Sequence, residues 1–373
     1  MSSLPAILPS GKFRQALSRR GGGTAARCYQ CATCSAVCEL AREDAPFPRR
    51  QMLLIQWGLE DRVAADPAVW LCHQCNDCTE RCPRDARPGD VLQAVRGLEV
   101  EKLAFPPAAG RLVGRAATTW PLLLALPILF WIALLAGAGR LTLPSEFHAY
   151  EQLVPHAFIY GVFFPVAAWV ILASWVSGRR FWAALGAASP RSGTFLGSLM
   201  PVVGEIASHK RFRSCGAARP RFTSHFLLLW GFVGAAVTSA LLIVGIYVQK
   251  LPMPLALSHP YKILGNLSAV LLVVGGTLLV VARLGKRSAA GTSAAFDSYF
   301  LGMVALVIVT GVLSEVARFA FSTELAFAIY ITHLGVVLNL FLTFPYSKFA
   351  HLLYRSLAMV HQRMARPADP THA

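Results

Sequence analysis

The sequence predicts an all-α protein in two parts, a cysteine-rich helical domain followed by a six-helix transmembrane bundle. Three observations predict it. Eight of the nine cysteines fall between Cys28 and Cys82, inside a polar N-terminal segment. The rest of the chain holds six apolar stretches of roughly 20 residues, the length that a ~30 Å hydrocarbon core requires. The 373 residues are 55% hydrophobic and only 14% charged, too apolar for an ordinary soluble protein.

Residues 1–27 are basic and Gly-rich and read as a flexible arm, with Gly21-Gly22-Gly23 as a joint. Residues 28–105 form the cysteine domain. Between its two cysteine groups, residues 49–60 carry Met52, Leu53, Ile55, Trp57 and Leu59, which fits a short helix with some strand-like alternation. After the second group, residues 90–103 place Val91, Leu92, Val95, Leu98 and Leu103 at helical spacing, with Asp90 as the expected N-cap. Residues 106–117 read as a linker. The six spans are expected at 118–138, 154–177, 223–247, 260–283, 297–319 and 325–348, within a membrane domain of 118–350. In lipid every backbone polar group must bond internally, so these are helices. Residues 351–373 are expected to be a cytoplasmic tail.

The net charge of +16 could point to nucleic acid, but its distribution argues against that. Residues 1–103 hold 14 Lys/Arg and 12 Asp/Glu, whereas residues 104–373 hold 21 and 7. The excess sits on the apolar half, where basic loops stay cytoplasmic. The segment 178–222 is rich in arginine, and Lys286, Arg287, Lys348, Arg355, Arg363 and Arg366 lie on the same predicted side. No apolar leader precedes the cysteines. A multi-pass protein of the cytoplasmic (inner) membrane is expected, in contact with membrane lipid, with both termini cytoplasmic.

The cysteines read Cys28-Cys31-Cys34-Cys38 and Cys72-Cys75-Cys78-Cys82, each C-x2-C-x2-C-x3-C, the second followed by Pro83. This is the bacterial two-cluster pattern, in which the fourth cysteine of each run ligates the other cluster. Cys28, Cys31, Cys34 and Cys82 are therefore assigned to one [4Fe–4S] cluster, and Cys72, Cys75, Cys78 and Cys38 to the other. Zinc sites use separated Cys-x2-Cys pairs instead. Glu39 stands where proline is usual, and the long helical insert distinguishes this domain from a small sheet-based ferredoxin. Cys215, in a basic loop, reads as an unliganded thiol.

The stretches CYQCATCSAVC and WLCHQCNDCTERCPRDARPGD resemble the C-type iron–sulfur protein of heterodisulfide reductases. They also resemble the N-terminal half of the membrane subunit of the quinone-interacting membrane-bound oxidoreductase complex. That family joins such a domain to a cytochrome b-like membrane domain, in the same order and length. The resemblance implies a helical two-cluster ferredoxin domain on a six-helix transmembrane cytochrome b-like bundle. It further implies flavin-containing heterodisulfide reductase A-like subunits as partners, and electron exchange between adenylylsulfate reductase and the quinone pool, with quinone as substrate.

An ionisable residue in a span is a functional candidate by default. His333 and His351 are 18 residues apart, which on one helix is five turns and about 27 Å. One helix would then serve two stacked haems. FPYSKFAHLLY, ending around His351, resembles the last helix of the gamma subunit of respiratory nitrate reductase, whose two histidines ligate haem b. His225, in RPRFTSHFLLLWGF, resembles the histidine pairing with that last-helix ligand. The resemblance implies a haem at His225 and His351. A second haem at His333 would take His156 or His259 as partner. Glu315 and Arg318, three apart, read as an ion pair. The paired motifs predict about eight non-haem iron atoms per chain. Iron analysis of protein purified without oxygen measures this, and a value near one or two would mean a mononuclear site.

Overall fold

The structure, a computed structural model, describes residues 8–188, 192–214, 219–285 and 295–365. No strand occurs among the described residues. The cysteine domain comprises α1 (Gly11–Leu17), α2 (Thr33–Ala36), α3 (Arg49–Gln56), α4 (Glu60–Ala64), α5 (Ala68–Leu71), α6 (Asp77–Glu80) and α7 (Pro88–Leu103). Then follow α8 (Pro107–Gly114), α9 (Ala116–Gly137), α10 (His156–Ala188), α11 (Phe195–Ala207) and α12 (Lys210–Ser214). The chain continues with α13 (Arg219–Tyr247), α14 (Pro260–Gly285), α15 (Ala295–Ala320), α16 (Thr323–Thr343) and α17 (Ala350–Ala365). Six helices, α9, α10, α13, α14, α15 and the run beginning at α16, are long and apolar enough to cross a membrane. Their outward faces are apolar, with Ile171 70% and Phe319 62% exposed, a surface that water would penalise and lipid does not.

Several local expectations are corrected. Residues 11–27 of the expected arm are helical, because Phe13 and Leu17 lie four apart and bury one stripe. Gly22 packs against Leu17 and Ala94 rather than acting as a joint, and only Gly21, at φ 87°, takes the left-handed turn that glycine permits. The linker contains α8. Asp90 does not cap α7, which starts at Pro88, a residue suited to a first turn that needs no N–H. Asp90 instead pairs with Arg87 at 2.8 Å.

The sixth span is also interrupted. Helix α16 ends at Thr343, a single 3₁₀ turn covers Phe344–Tyr346, and α17 begins at Ala350. Pro345 has no N–H to continue the helix, and the chain turns extended at Ser347, with φ −96° and ψ −171°. His333 and His351 thus lie on two helices, and the five-turn alignment does not hold. Nor is the start of the tail loose. In α17, Tyr354, Ala358, Met359 and Val360 are buried.

Those residues belong to one core shared by both halves of the chain. Met52, Ile55, Trp70, Val91 and Leu92 of the cysteine domain join Phe181 and Leu185 of α10, Val202 of α11 and Tyr354 of α17. Trp70 packs on Tyr354 at 4.8 Å and on Phe181 at 6.0 Å between ring centroids. Arg180 donates to the carbonyls of Leu103 and Ala104, and Tyr346 Oη donates to that of Phe105 at 2.7 Å. The cysteine domain therefore sits on one end of the bundle, beside α17.

Within the bundle, α13 packs along α14, and α16 lies between α9 and α15. Small residues permit these approaches, as between helices in lipid. A Cβ on Gly335 would stand 2.8 Å from Ile128 Cα, and one on Gly275 would stand 3.0 Å from Leu228 N. Gly335→Val is expected to force α9 from α16 and to cost about 1–3 kcal/mol. A lower thermal midpoint in detergent would show this, while Gly302→Ala, with open space around it inside α15, does not lower the midpoint.

Candidate functional site

The two cysteine runs fold alike. Gln30 and Ala32 in the first have φ of 59° and 69°, and Gln74 and Asn76, at the same places in the second, have 52° and 70°. These left-handed residues curl each C-x2-C-x2-C loop so that its sulfurs face inward. A one-turn helix then starts at Thr33 or Asp77 and carries the third cysteine.

Two cavities result. Cys28, Cys31, Cys34 and Cys82 line one, with Tyr29, Arg49 and Pro83. Cys38, Cys72, Cys75 and Cys78 line the other, with His73, Gln74 and Phe47. The fourth cysteine of each run thus crosses to the opposite cavity. Donors point at the sulfurs: Gln74 N–H donates to Cys72 Sγ at 3.3 Å, and Ala86 N–H to Cys82 Sγ at 3.3 Å. Such bonds tune clusters. Burial, then the neighbouring Cys28, pushes the Cys34 thiol up, and burial with Cys72, Cys75 and Cys38 does the same to Cys78. Four thiolates in so small a space need bound cations to stay ionised. Among the described residues, no group of three His, Cys, Asp or Glu converges as on a single metal ion. The sulfurs line a volume, which fits a cuboidal cluster. Cys215 lies outside the described residues.

The two cavities differ in surroundings. Around the first, Cys31 is exposed, Tyr29 is 69% exposed, and Arg84 lies over the Tyr29 ring at 4.0 Å. The second faces the membrane half. Arg355 of α17 donates to the Cys72 carbonyl at 3.0 Å and to His73 Nδ1 at 3.1 Å. Arg221 of α13 donates to the Gln74 carbonyl at 2.7 Å. Burial, then Arg355, pushes His73 down to about 3, so its ring is neutral.

His73 also begins a row of rings. Its centroid is 6.1 Å from that of Phe212 on α12, and Phe212 is 5.2 Å from His225. His225, on α13, and His351, on α17, lie within electrostatic reach of each other. His351 Nδ1 bonds the Lys348 carbonyl, an acceptor, so Nδ1 holds the proton and Nε2 keeps its lone pair. His351 is an exposed residue.

His333 is placed similarly but, among the described residues, contacts Thr310 rather than a histidine. Thr310 Oγ1 donates to the Leu306 carbonyl at 2.6 Å and accepts from His333 Nδ1 at 3.0 Å, again leaving Nε2 its lone pair. His156 Nδ1 is 3.4 Å from Glu151. His259 Nδ1 accepts from Tyr261 N–H at 3.2 Å, so in the neutral ring Nε2 carries the proton. Glu315 does not bond Arg318: Lys262 of α14 takes it at 2.5 Å, and Arg318 lies over Phe319. Sequence reasoning missed Arg96, Arg355 and Arg221 as partners of the Cys72 loop, because the charge of Arg355 and Arg221 was legible only as topology and Arg96 belongs to no motif. It missed Phe212 altogether, since a lone phenylalanine in a loop carries no pattern.

Fold and site together define an iron–sulfur electron-transfer protein with a multi-pass, membrane-type half. A 4Fe-4S dicluster domain profile matches residues 24–86, and the profile of citrate utilization protein B matches residues 106–371. The chain belongs to the citrate utilization protein B family. It is 26% identical to citrate utilization protein B of Escherichia coli over 360 residues, covering 89% of this chain and 88% of the relative. It is 36% identical over 104 residues to the C component of the H(2):CoB-CoM heterodisulfide,ferredoxin reductase of Methanothermobacter thermautotrophicus. That match covers 28% of this chain and 55% of the relative, so the chain spans about half the length of that relative. A heterodisulfide reductase C-like protein of Archaeoglobus profundus is 38% identical over 79 residues, 21% of this chain and 42% of that one. No solved structure matches.

Gly89 offers a direct check on the second cavity. Its N–H donates to Thr79 Oγ1 at 3.0 Å, and an added Cβ would strike the Asn76 side chain. Gly89→Ala is expected to push the Cys75–Cys78 loop outward. Iron per chain should fall while the protein still elutes as a folded species; an unchanged iron content would refute the tight packing.

Proposed function

We propose that this protein carries electrons between a flavin-containing cytoplasmic partner and the quinone pool, through two [4Fe–4S] clusters and haem b. Cys28, Cys31, Cys34 and Cys82 would hold one cluster, and Cys72, Cys75, Cys78 and Cys38 the other. His225 and His351 would hold the haem. The observation that carries this reading is the row from the second cavity through His73 and Phe212 to His225. It links the cluster site to a histidine pair drawn from two helices, which is what a bis-imidazole haem needs. His351 presents Nε2, the atom that such a haem would take. Each centre passes one electron at a time; two electrons and two protons convert a quinone to its quinol.

His333 also presents Nε2 and stays the candidate for a second haem. Of its two expected partners, His259 uses its Nδ1 lone pair as an acceptor, which leaves His156 the better suited. The positive-inside distribution supports cytoplasmic termini in the inner membrane, and the docking of α17 on the cysteine domain supports the same reading.

The partner is read as a heterodisulfide reductase A-like flavoprotein, from the likeness of the cysteine domain to the C-type heterodisulfide reductase proteins. A link to adenylylsulfate reductase rests on the resemblance alone. A second donor reading is favoured by the near-full-length relative, which is named for citrate utilization: a flavoprotein of carboxylate oxidation. Tagged protein recovered from its own membranes with an attached flavoprotein would distinguish these by the substrate that bleaches the flavin.

Purified protein, reduced without oxygen, is expected to show a haem b band that a soluble quinone reoxidises. His351→Ala should remove one haem, measured as pyridine haemochrome, and slow reoxidation by quinone at least about tenfold, roughly 1.4 kcal/mol of barrier. Its iron–sulfur signal should persist. Unchanged haem content would refute the ligand assignment, and no reoxidation of the unaltered protein by any quinone would refute the function.

A further inference from the structure

We infer that Arg355, with Arg96 and Arg221, is a positioning residue that raises the reduction potential of the inner cluster, the one at Cys38, Cys72, Cys75 and Cys78. The outer cluster, at Cys28, Cys31, Cys34 and Cys82, has Arg49 and Arg84 along its cavity, but both are exposed and give weaker support, so electrons run downhill from outer to inner and on toward the membrane. The inference rests on the two-cluster reading above.

Three guanidinium groups from three helices meet on one short loop. Arg96 of α7 donates to the Cys72 carbonyl at 3.2 Å and to Gln74 Oε1 at 3.1 Å. Arg221 of α13 donates to the Gln74 carbonyl at 2.7 Å. Arg355 of α17 donates to the carbonyls of Trp70 and Cys72 at 3.3 and 3.0 Å, and to His73 Nδ1. An arginine has donors only, so His73 accepts and stays neutral between them. These bonds bridge the loop of Cys72 and Gln74 to two membrane-half helices, and so fix where the inner cavity stands.

None of these bonds of Arg355 goes to a carboxylate. A cation taken from water costs several kcal/mol unless an anion lies near. The anion that fits is the cluster: four thiolates leave a [4Fe–4S] centre negative, and one electron more makes it more negative. Nearby fixed positive charge therefore favours the reduced form and raises the potential. At the outer cavity, the lining Arg49 and Arg84 are both exposed, and Arg84 lies over the exposed Tyr29 ring. Charges there are screened by water and salt.

The test is a redox titration of the full chain followed by electron paramagnetic resonance, with Cys31→Ser marking the outer cluster's signal. Arg355→Gln is expected to shift the inner cluster's oxidised-to-reduced ratio about tenfold toward oxidised at fixed potential, which is ~59 mV for one electron. Arg355→Lys should restore most of the shift, because it keeps the charge. Arg221→Gln should shift the same signal in the same direction, which covers the case in which Arg355→Gln disturbs folding. The outer midpoint stays put. Unmoved inner midpoints in both Gln variants at full iron content, or an equal movement of the outer cluster, would overturn the inference while leaving the two-cluster reading intact. Absence of two clusters from the unaltered chain would instead overturn both.

Discussion

The two halves of the chain share one hydrophobic core, and the relative position of every candidate redox site depends on it. Trp70 sits one residue from Leu71 and two from Cys72. Its ring is held between Tyr354 of α17 and Phe181 of α10. Aromatic pairs of this kind contribute about 0.5–1.5 kcal/mol each beyond their buried area. Because these contacts join residues far apart in sequence, they fix the cysteine loops against the membrane helices rather than leaving them on a tether. The polar bonds that surround this core, from Arg180 to the end of α7 and from Tyr346 to Phe105, act in the same sense.

That rigidity matters chemically because electron transfer depends on distance and on the charge around each centre. The row His73, Phe212, His225 exists only because α12 and α13 approach the second cysteine loop. Buried Glu99 shows the same local economy of charge. Its carboxyl accepts from Trp70 Nε1, and burial pushes it well above the usual carboxylate range. The guanidinium groups of Arg96, Arg221 and Arg355 nonetheless converge on the inner loop. Farther out, Glu205 takes ion pairs from Arg211 and Arg363, which outweigh burial and hold it below the usual range. Those pairs fasten α11 to α12 and to α17.

Much of the candidate site was legible in the residue order, for a physical reason. A C-x2-C-x2-C loop is a local device: the left-handed turns at Gln30, Ala32, Gln74 and Asn76 lie inside the motif itself. Membrane helices are legible likewise, because length and apolarity alone decide whether a helix can cross. The histidines were legible only in part. Counting 18 residues from His333 to His351 assumed a continuous helix, and Pro345 broke it. Neither His156 nor His259 could be chosen from spacing. Their contacts with Glu151 and Tyr261 distinguish them.

The sequence by itself determined that eight cysteines lie in two equivalent loops, that six long apolar helices follow, and that the positive charge gathers on the membrane half. These are consequences of spacing, composition and helix length, which need no long-range contact. Only the tertiary structure decided that the cavity of Cys72 faces the membrane half, that His225 comes near His351, and that arginines 96, 221 and 355 converge beside Cys72. Each of those depends on segments tens to hundreds of residues apart being pressed together by a shared core, and no local pattern encodes where such segments meet.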